Sequence, residues 1–332
     1  MLNRTTLLFV AVATAVAQRQ PPPRLVTSDV VNFWTAYDAG RIGQRQDAFR
    51  KLYFEAGTPA LQEFLNQRVG SPQSLESLVD DRFPAFFATA RPYMLQVDQQ
   101  RDAILGYLAR FREIFPAADF PTVTFVVGPL TTKEMIGRNG VVIDVAAFSR
   151  GAGVDVTEVA RKPLTTAAPP ERLPLMVVHE LVHTQSVADE GAAVPGLLVD
   201  LVREGAADFV TELVTRIDPN SHTDAWAKSR RADLFQDLAR NLSVNADLEE
   251  SGDPWHPAGF GLMGSPTRMV YSLPSAGDEP FTLGNWIGKQ ICASYYQRAA
   301  DKSSAIASIV TLKDIAAIVR GSDYSWLLPP KK

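Results

Sequence analysis

Two histidines one helical turn apart, His179 and His183, constrain this sequence more than any other feature. The chain has only four histidines in 332 residues, and these two stand in the run Leu-Met-Val-Val-His-Glu-Leu-Val-His-Thr at residues 175–184. Residues four apart on an α-helix share a face, so both imidazoles point the same way. Glu180 lies about 100° further round the helix. This arrangement is typical of a zinc-binding pair with a neighbouring carboxylate that can take a proton from metal-activated water.

The same run predicts a helix with one buried side. Pro174 fits the first helical turn, where its missing N–H costs little. The side opposite the histidines is apolar and is expected to be buried; it consists of Val178, Leu181 and Val182. The competing interpretation is an ordinary helix that carries two hydrogen-bonded histidines.

A second amphipathic helix is predicted to supply a third ligand. A catalytic zinc ion takes three protein ligands and keeps one position open. Glu204 and Asp208 share a face of this second helix, away from its apolar stripe of Leu197, Leu198, Leu201, Phe209 and Leu213. Glu204 is the predicted third ligand, and Asp208 can accept a hydrogen bond from a ligand histidine. The small residues Gly205, Ala206 and Ala207 are expected to let the helix with the histidines and the helix with Glu204 approach each other closely. The alternative for Glu204 is a solvated charge on a helix face.

His179-Glu180-Leu-Val-His183 followed by Glu204-Gly-Ala-Ala-Asp208 resembles the gluzincin metallopeptidases. Among them, the chain is most similar to bacterial predicted zinc-dependent proteases related to the gliding-motility lipoprotein B family. The resemblance covers about residues 175–213. It implies that His179, His183 and Glu204 bind Zn²⁺, that Glu180 is the general base, and that Asp208 supports a histidine.

The resemblance also implies a Tyr or His downstream that donates a hydrogen bond to the oxyanion of the tetrahedral intermediate. We expect Tyr295 or Tyr296 in this role, because they follow the zinc region on a helix that could return to the cleft. The other candidates are His222, His256 and Tyr271.

The predicted fold class is α+β, mostly α, and zincin-like, with a small sheet before the zinc helix. Residues 122–127 and 141–145 are β-rich runs. We expect residues 141–145 to be an exposed edge strand that pairs with an extended substrate; a plain structural strand is the alternative. Residues 119–217 would form the catalytic core.

Helical regions are predicted on both sides of this core. Residues 28–118 show repeated i, i+3, i+4 spacing of apolar residues, such as Val30, Phe33 and Trp34, which are expected to be buried. Residues 218–332 are predicted to form a C-terminal helical region, with helices at 224–242, 286–297 and 303–320. Within it, residues 246–285 lack a clear period and are expected to form a long loop beside the cleft. The single Cys292 is expected to be a buried apolar residue of a helix. Because the chain has no second or third cysteine, a thiolate zinc site is excluded.

The first 17 residues are typical of a secretory signal peptide. Arg4 precedes an apolar run from Leu7 to Val16, and cleavage is expected after Ala17; a retained N-terminal anchor is the alternative. Residues 18–27 would be a linker. We therefore expect a secreted or periplasmic protein that does not span a membrane after signal cleavage. A net charge of -4 without basic clusters argues against nucleic acid as a partner.

Together these features predict an exported zinc metallopeptidase that acts on a peptide or protein substrate, with Glu180 as general base. Two alternatives remain open. The chain could be a non-catalytic binding or scaffold protein with a vestigial zinc site, or a zinc amide hydrolase that acts on a non-protein substrate such as the cell wall.

Overall fold

The computed structural model describes residues 23–160, 167–187, 194–250 and 283–329. This part of the chain is mostly helical and contains one small sheet, as the predicted α+β class requires. Helices cover the region before the sheet, as predicted. They are α1 (Ser28–Ala39), α2 (Gln46–Phe49), α3 (Pro59–Phe64), α4 (Pro72–Ser77), α5 (Pro84–Leu95) and α6 (Arg101–Ile114).

The short helices α2, α3 and α4 each widen into a π-helical turn, at Arg50–Phe54, Leu65–Val69 and Leu78–Arg82. A proline in the first turn and a serine or threonine cap explain where two of them begin. Thr58 and Ser71 accept hydrogen bonds from the N–H groups three residues on, ahead of Pro59 and Pro72.

The sheet has four strands in the order β1-β2-β4-β3. They are β1 (Leu25–Val26), β2 (Val123–Val126), β3 (Glu134–Gly137) and β4 (Gly140–Asp144). β1, β2 and β4 are parallel, whereas β3 runs antiparallel to β4 through a tight hairpin. The predicted edge strand was wrong: residues 140–144 lie inside the sheet, between β2 and β3, and the free edges belong to β1 and β3. Part of the predicted linker is also a strand, because Leu25–Val26 pair with β2.

The next five helices of the described residues follow the sheet. They are α7 (Thr157–Ala160), α8 (Leu173–His183), α9 (Gly196–Thr215), α10 (Ser221–Ala227) and α11 (Arg231–Glu250). Of these, α8 and α9 carry the predicted site. α11 extends five residues into the stretch expected to be a loop from residue 246 onwards. The rest of that loop, residues 251–282, lies outside the described residues, as do the predicted signal peptide and most of the linker.

The described chain ends with α12 (Leu283–Arg298), α13 (Lys302–Thr311) and α14 (Ile315–Gly321). The predicted helix at 303–320 is therefore two helices. The break falls at Leu312, whose φ of 51° is left-handed, and Asp314 then caps α14 by accepting from the N–H of Ala317 at 2.8 Å. Cys292, on α12, is buried as predicted. No helix of the described residues is long and apolar enough to cross a membrane.

A glycine–glycine crossing joins α9 to α12. A Cβ atom on Gly205 would lie 2.0 Å from the carbonyl carbon of Gly288, and one on Gly288 would lie 1.6 Å from the carbonyl oxygen of Leu201. The sequence suggested that Gly205 makes room for the zinc helix; instead it makes room for α12. The buried apolar side chains form one continuous core that runs from Leu25 to Leu328.

Candidate metal centre

The candidate metal centre lies where α8 packs against α9. α8 carries His179, Glu180 and His183, and its opposite side buries Val178, Leu181 and Val182 in the core, as predicted. α9 carries Glu204 and Asp208. One ligand atom from each of His179, Glu180 and His183 lies within 4.8 Å of the others, so this group could hold a metal ion.

Glu204 brings a further carboxylate to the two imidazoles. The Nε2 atoms of His179 and His183 are 3.1 Å apart. The Glu204 oxygens lie 3.3 Å from Nε2 of His179 and 3.4 Å from Nε2 of His183. Ligands of a tetrahedral zinc ion at its usual bond lengths are about 3.3 Å apart, so these three side chains have the spacing of a zinc ligand set. This spacing favours Glu204 over Glu180 as the third ligand, which stays a prediction.

Asp208 orients His179 from behind. The Nδ1 atom of His179 is 2.8 Å from Oδ1 of Asp208, which leaves Nε2 directed at His183 and Glu204. The second oxygen of Asp208 accepts a hydrogen bond of 2.6 Å from the side-chain amide of Asn220. Both Asp208 and Asn220 are buried. The contact of Asp208 with a ligand histidine was predicted from the sequence, whereas Asn220 was not.

Asn220 is held in turn by a network of residues from three parts of the chain. Its main-chain N–H donates to Asp218 at 2.8 Å, and Asp218 pairs with the buried ammonium of Lys289 on α12. Arg172, just before α8, donates to the carbonyl of Pro219 at 2.6 Å. The turn that supports Asp208 is therefore fixed by residues from before α8, after α9 and within α12.

The charges around His179 favour a cation at the centre. Burial alone would lower the pKa of His179, but the carboxylates of Asp208 and Glu204 raise it well above its usual value. Burial would likewise raise the pKa of Glu204, yet its bonds to both histidines hold that pKa well below the ordinary range. The same charges that stabilise a proton on His179 stabilise a metal ion bound to its Nε2.

The donor chemistry fits a divalent ion. The centre opens on a cavity of about 350 Å³, whose charged lining residues are Lys133, Arg172, Glu134, Glu180, Glu204 and Asp208. Acidic groups therefore outnumber basic groups in this lining by four to two. Imidazole nitrogens and carboxylate oxygens are donors that suit a divalent cation.

Glu180 is buried in the same cavity, 6 % exposed. Burial raises the pKa of its carboxyl to about 8, and the negative charges of Glu134, Glu204 and Asp208 add to that effect. A bound cation opposes this shift because it favours the ionised carboxylate. Glu180 therefore has the environment of a carboxyl group whose proton affinity depends on what the centre binds.

Two further polar residues, neither of them predicted from the sequence, line the cavity. Glu134 reaches it from strand β3, and Asn285 reaches it from the first turn of α12. The Asn285 side-chain amide lies 3.4 Å from Oε2 of Glu204. Both residues are far from α8 in sequence, and neither belongs to a motif that could have indicated it.

Tyr295 and Tyr296 do not line the cavity. They lie ten or more residues beyond Asn285 on α12, roughly 15 Å along the helix. Tyr295 packs against Gly321, and the ring of Tyr296 contacts that of Phe209 at 5.5 Å. The structure does not bring either tyrosine to the centre. The alternative donor His222 is exposed on α10 and does not line the cavity either, while His256 and Tyr271 lie outside the described residues.

A second, shallower cavity meets the first at the centre. His183 and Glu204 line both cavities, and the second continues past Ile136, Ser186, Val187 and Arg203. Strand β3 thus contributes Glu134 to one cavity and Ile136 to the other. Because alternate residues of a strand share a face, the side chains of Glu134 and Ile136 project from the same face of β3, one into each cavity.

The comparisons with known proteins add no relative: no protein-family model, no curated protein and no solved structure matches this chain. The resemblance to gluzincins therefore stays a prediction that depends on the residues of α8 and α9.

Proposed function

We propose that this chain is a zinc metallopeptidase of the gluzincin type. The observation that carries the proposal is the meeting of His179, His183 and Glu204 within 3.4 Å of one another, beside the buried carboxyl of Glu180. A zinc ion held by these three side chains supplies the Lewis acidity that activates water and polarises a carbonyl group. In this proposal the third ligand is Glu204, and Glu180 remains free for proton transfer.

Glu180 acts as general acid and base in the proposed reaction. It accepts one proton of the attacking water as the water oxygen bonds to the scissile carbonyl carbon. It then delivers that proton to the leaving amine as the C–N bond breaks. Burial favours the first proton transfer because it raises the pKa of Glu180 and so makes its carboxylate a stronger base. Asp208 keeps His179 in the tautomer whose Nε2 is free to bind the ion.

The free edge of β3 provides a path for the substrate backbone. The main-chain N–H of Asp144 donates to the carbonyl of Lys133 at 2.8 Å. In an antiparallel pair the bonded and non-bonded residues alternate, so the main-chain groups of Glu134 and Ile136 point away from β4. An extended peptide paired with them by strand addition would cross the centre between the two cavities.

Asn285 is the described side chain best placed to support the developing oxyanion. Its amide carries two N–H groups, and only one of them can be directed at Glu204. The second can serve a substrate oxygen in the same cavity. We infer this role for Asn285 in place of Tyr295 and Tyr296, which lie elsewhere on α12.

The proposed substrate is a peptide or protein, and the proposed location is outside the cytoplasm, from the signal-like residues 1–17. Both rest on sequence features. The cell-wall hydrolase and the non-catalytic binding protein are the outcomes against which the peptidase is tested.

The test combines metal content with cleavage of a peptide library. We expect about one zinc per chain in the purified protein, and cleavage products from an unbiased library by mass spectrometry. Glu180→Gln should keep the zinc and lose cleavage by roughly 10²-fold or more. Zinc without cleavage of any peptide would favour the binding protein, and cleavage of peptidoglycan fragments alone would favour the cell-wall hydrolase. A folded, metal-free protein that cannot be reloaded would contradict all three zinc-dependent functions.

A further inference from the structure

We propose that Glu134 binds a cationic nitrogen group of the substrate, and so makes the enzyme selective for a positive charge beside the scissile bond. This inference rests on the proposed peptidase function and names a specificity-determining residue for it. Glu134 belongs to none of the sequence motifs, and the hydrolytic steps described above do not use its carboxylate.

The first observation is an unpartnered oxygen. The Oε2 atom of Glu134 is buried and has no hydrogen-bond partner among the described residues. A buried polar atom without a partner costs free energy, and a charged one costs more. In a cavity that also holds the candidate metal centre, such an atom indicates a group that completes its bonding when the substrate enters.

The other carboxylates of the cavity already have roles. Glu204 is bound by both histidines, and Asp208 is bound by His179 and Asn220. Glu180 is the proposed general base. Glu134 is the remaining carboxylate among the described lining residues, and it points into the cavity from the strand along which the substrate would lie.

The cations of the cavity do not satisfy Glu134. Neither Lys133 nor Arg172 donates a hydrogen bond to its Oε2 atom, and Arg172 is engaged with the carbonyl of Pro219. Lys133 acts on Glu134 through its charge alone and donates no hydrogen bond to this oxygen. Burial lowers the pKa of Lys133 and raises that of Glu134, because both side chains are removed from water. A cation supplies the strongest bond that such a group can accept.

The scaffold holds Glu134 in a fixed position. Asp144, at the end of β4, accepts the N–H groups of Gly128 and Leu130 at 2.8 and 3.2 Å. The buried hydroxyl of Tyr53 binds the main chain of Val127 on both its polar atoms, at 2.7 and 2.9 Å. These contacts fix the segment that leads from β2 to β3. A preorganised carboxylate loses little freedom on binding, which favours a recognition role.

Two sources can supply the cation. A free α-amino terminus would make the enzyme an aminopeptidase, whereas a Lys or Arg side chain would make it an endopeptidase with a basic preference. The charge chemistry is the same, so the substrates in the test must separate the two.

The test uses three peptide libraries on the zinc-loaded protein. One has free amino termini and lacks Lys and Arg, one is N-acetylated and contains Lys, and one is N-acetylated with norleucine in place of Lys. The parent should prefer one of the two cationic libraries. For that library, Glu134→Gln should lower kcat/KM by roughly tenfold or more, whereas kcat/KM for the neutral library should fall by less than about twofold. Most of the change should fall on KM. The matched control is Glu171→Gln, an exposed glutamate before α8 that does not line the cavity.

A binding measurement keeps this inference separate from the proposed function. In the Glu180→Gln background, the same peptides carry a fluorophore and their binding is followed by anisotropy, with and without Glu134→Gln. Preferential binding of a cationic peptide that depends on Glu134 supports the inference. If the parent protein binds in this way but cleaves no peptide, the proposed peptidase function is contradicted and the inference about Glu134 is not. Equal binding of cationic and neutral peptides, or an equal loss for both on Glu134→Gln, would overturn the inference.

Discussion

The Nδ1 atom of His179 lies 2.8 Å from Oδ1 of Asp208, and the other oxygen of Asp208 is held by Asn220 at 2.6 Å. This chain of hydrogen bonds fixes both the ring orientation and the tautomer of a candidate metal ligand. Its last member, Asn220, lies beyond the turn that ends α9 and is anchored through Asp218 to Lys289 on α12.

Breaking this chain should weaken metal binding in a graded way. Asp208→Ala is expected to lower zinc affinity by roughly 10- to 100-fold, because His179 loses its fixed tautomer. Asn220→Ala should give a smaller loss in the same direction, since Asp208 remains but is free to rotate. Competition with a chromophoric chelator measures both affinities. Asn32→Ala, on α1 and outside the cavity, is the control; an effect of Asn220→Ala no larger than that of Asn32→Ala would contradict the prediction.

The crossing of α9 and α12 should tolerate no side chain at Gly288. Its Cβ atom would fall 1.6 Å from the carbonyl oxygen of Leu201, which is main chain and cannot rotate away. Gly288→Ala is therefore expected to lower the free energy of unfolding by about 1–3 kcal/mol and to displace Glu204, which lies one turn from Leu201. Chemical denaturation and zinc titration of the same variant measure the two effects.

Gly106 provides the matched control for that substitution. It lies inside α6, and a Cβ atom there would meet nothing within 4 Å. Gly106→Ala should raise the free energy of unfolding by about 0.5–1 kcal/mol, because alanine loses less backbone entropy in a helix. Equal stability changes at Gly288 and Gly106 would show that the crossing is looser than the distances indicate.

The metal-free protein should lose stability as the pH rises through the range in which Glu180 titrates. Burial raises the pKa of Glu180 in the folded chain to about 8 from its ordinary 4.5, so the folded state binds a proton that the unfolded state has released. By linkage, the free energy of unfolding falls between about pH 4.5 and 8. The raised pKa of His179 acts in the same direction. The lowered pKa of Glu204 contributes stability that is lost only when the pH falls below 4.5, the ordinary pKa of a glutamate.

Urea denaturation of the metal-free protein at several pH values measures this slope. Glu180→Gln removes the titrating group and should flatten the slope, leaving the part that comes from His179. The free energy of unfolding of the variant should therefore rise relative to that of the parent as the pH approaches 8. A parent and a variant with parallel pH profiles would indicate that Glu180 ionises normally in the folded chain.

The local parts of the fold and the site were the predictable ones. His179 and His183 share a face because of helical periodicity, and the distance between their Nε2 atoms follows from that spacing. Glu204 and Asp208 follow the same rule on α9, and the structure brings them to the histidines in the arrangement that the spacing suggested. Helical regions followed from the helical spacing of apolar residues, and strand regions followed from runs rich in β-branched residues.

The order of the strands and the contacts between distant segments were not predictable from these local patterns. The order of the strands depends on how the chain returns to the sheet, so residues 141–145 were assigned to an edge although β3 takes that position. Glu134, Asn220 and Asn285 reach the cavity from three separate segments that share no sequence pattern. Gly205 was correctly given a packing role but against the wrong helix, because a small residue does not encode its partner.

Asn285 and Tyr296 offer the sharpest comparison between the sequence prediction and the structure, since both lie on α12. Asn285 lines the cavity 3.4 Å from Glu204, whereas Tyr296 packs against Phe209 away from it. If Asn285 supports the oxyanion, Asn285→Ala should lower kcat by roughly 10²-fold or more with little change in KM, while zinc remains bound. If it only positions Glu204, zinc affinity should fall instead and excess zinc should restore kcat. Tyr296→Phe keeps the ring contact and should leave kcat within about twofold of the parent. A large loss for Tyr296→Phe with full activity in Asn285→Ala would assign the donor to Tyr296, one of the two tyrosines that the sequence favoured.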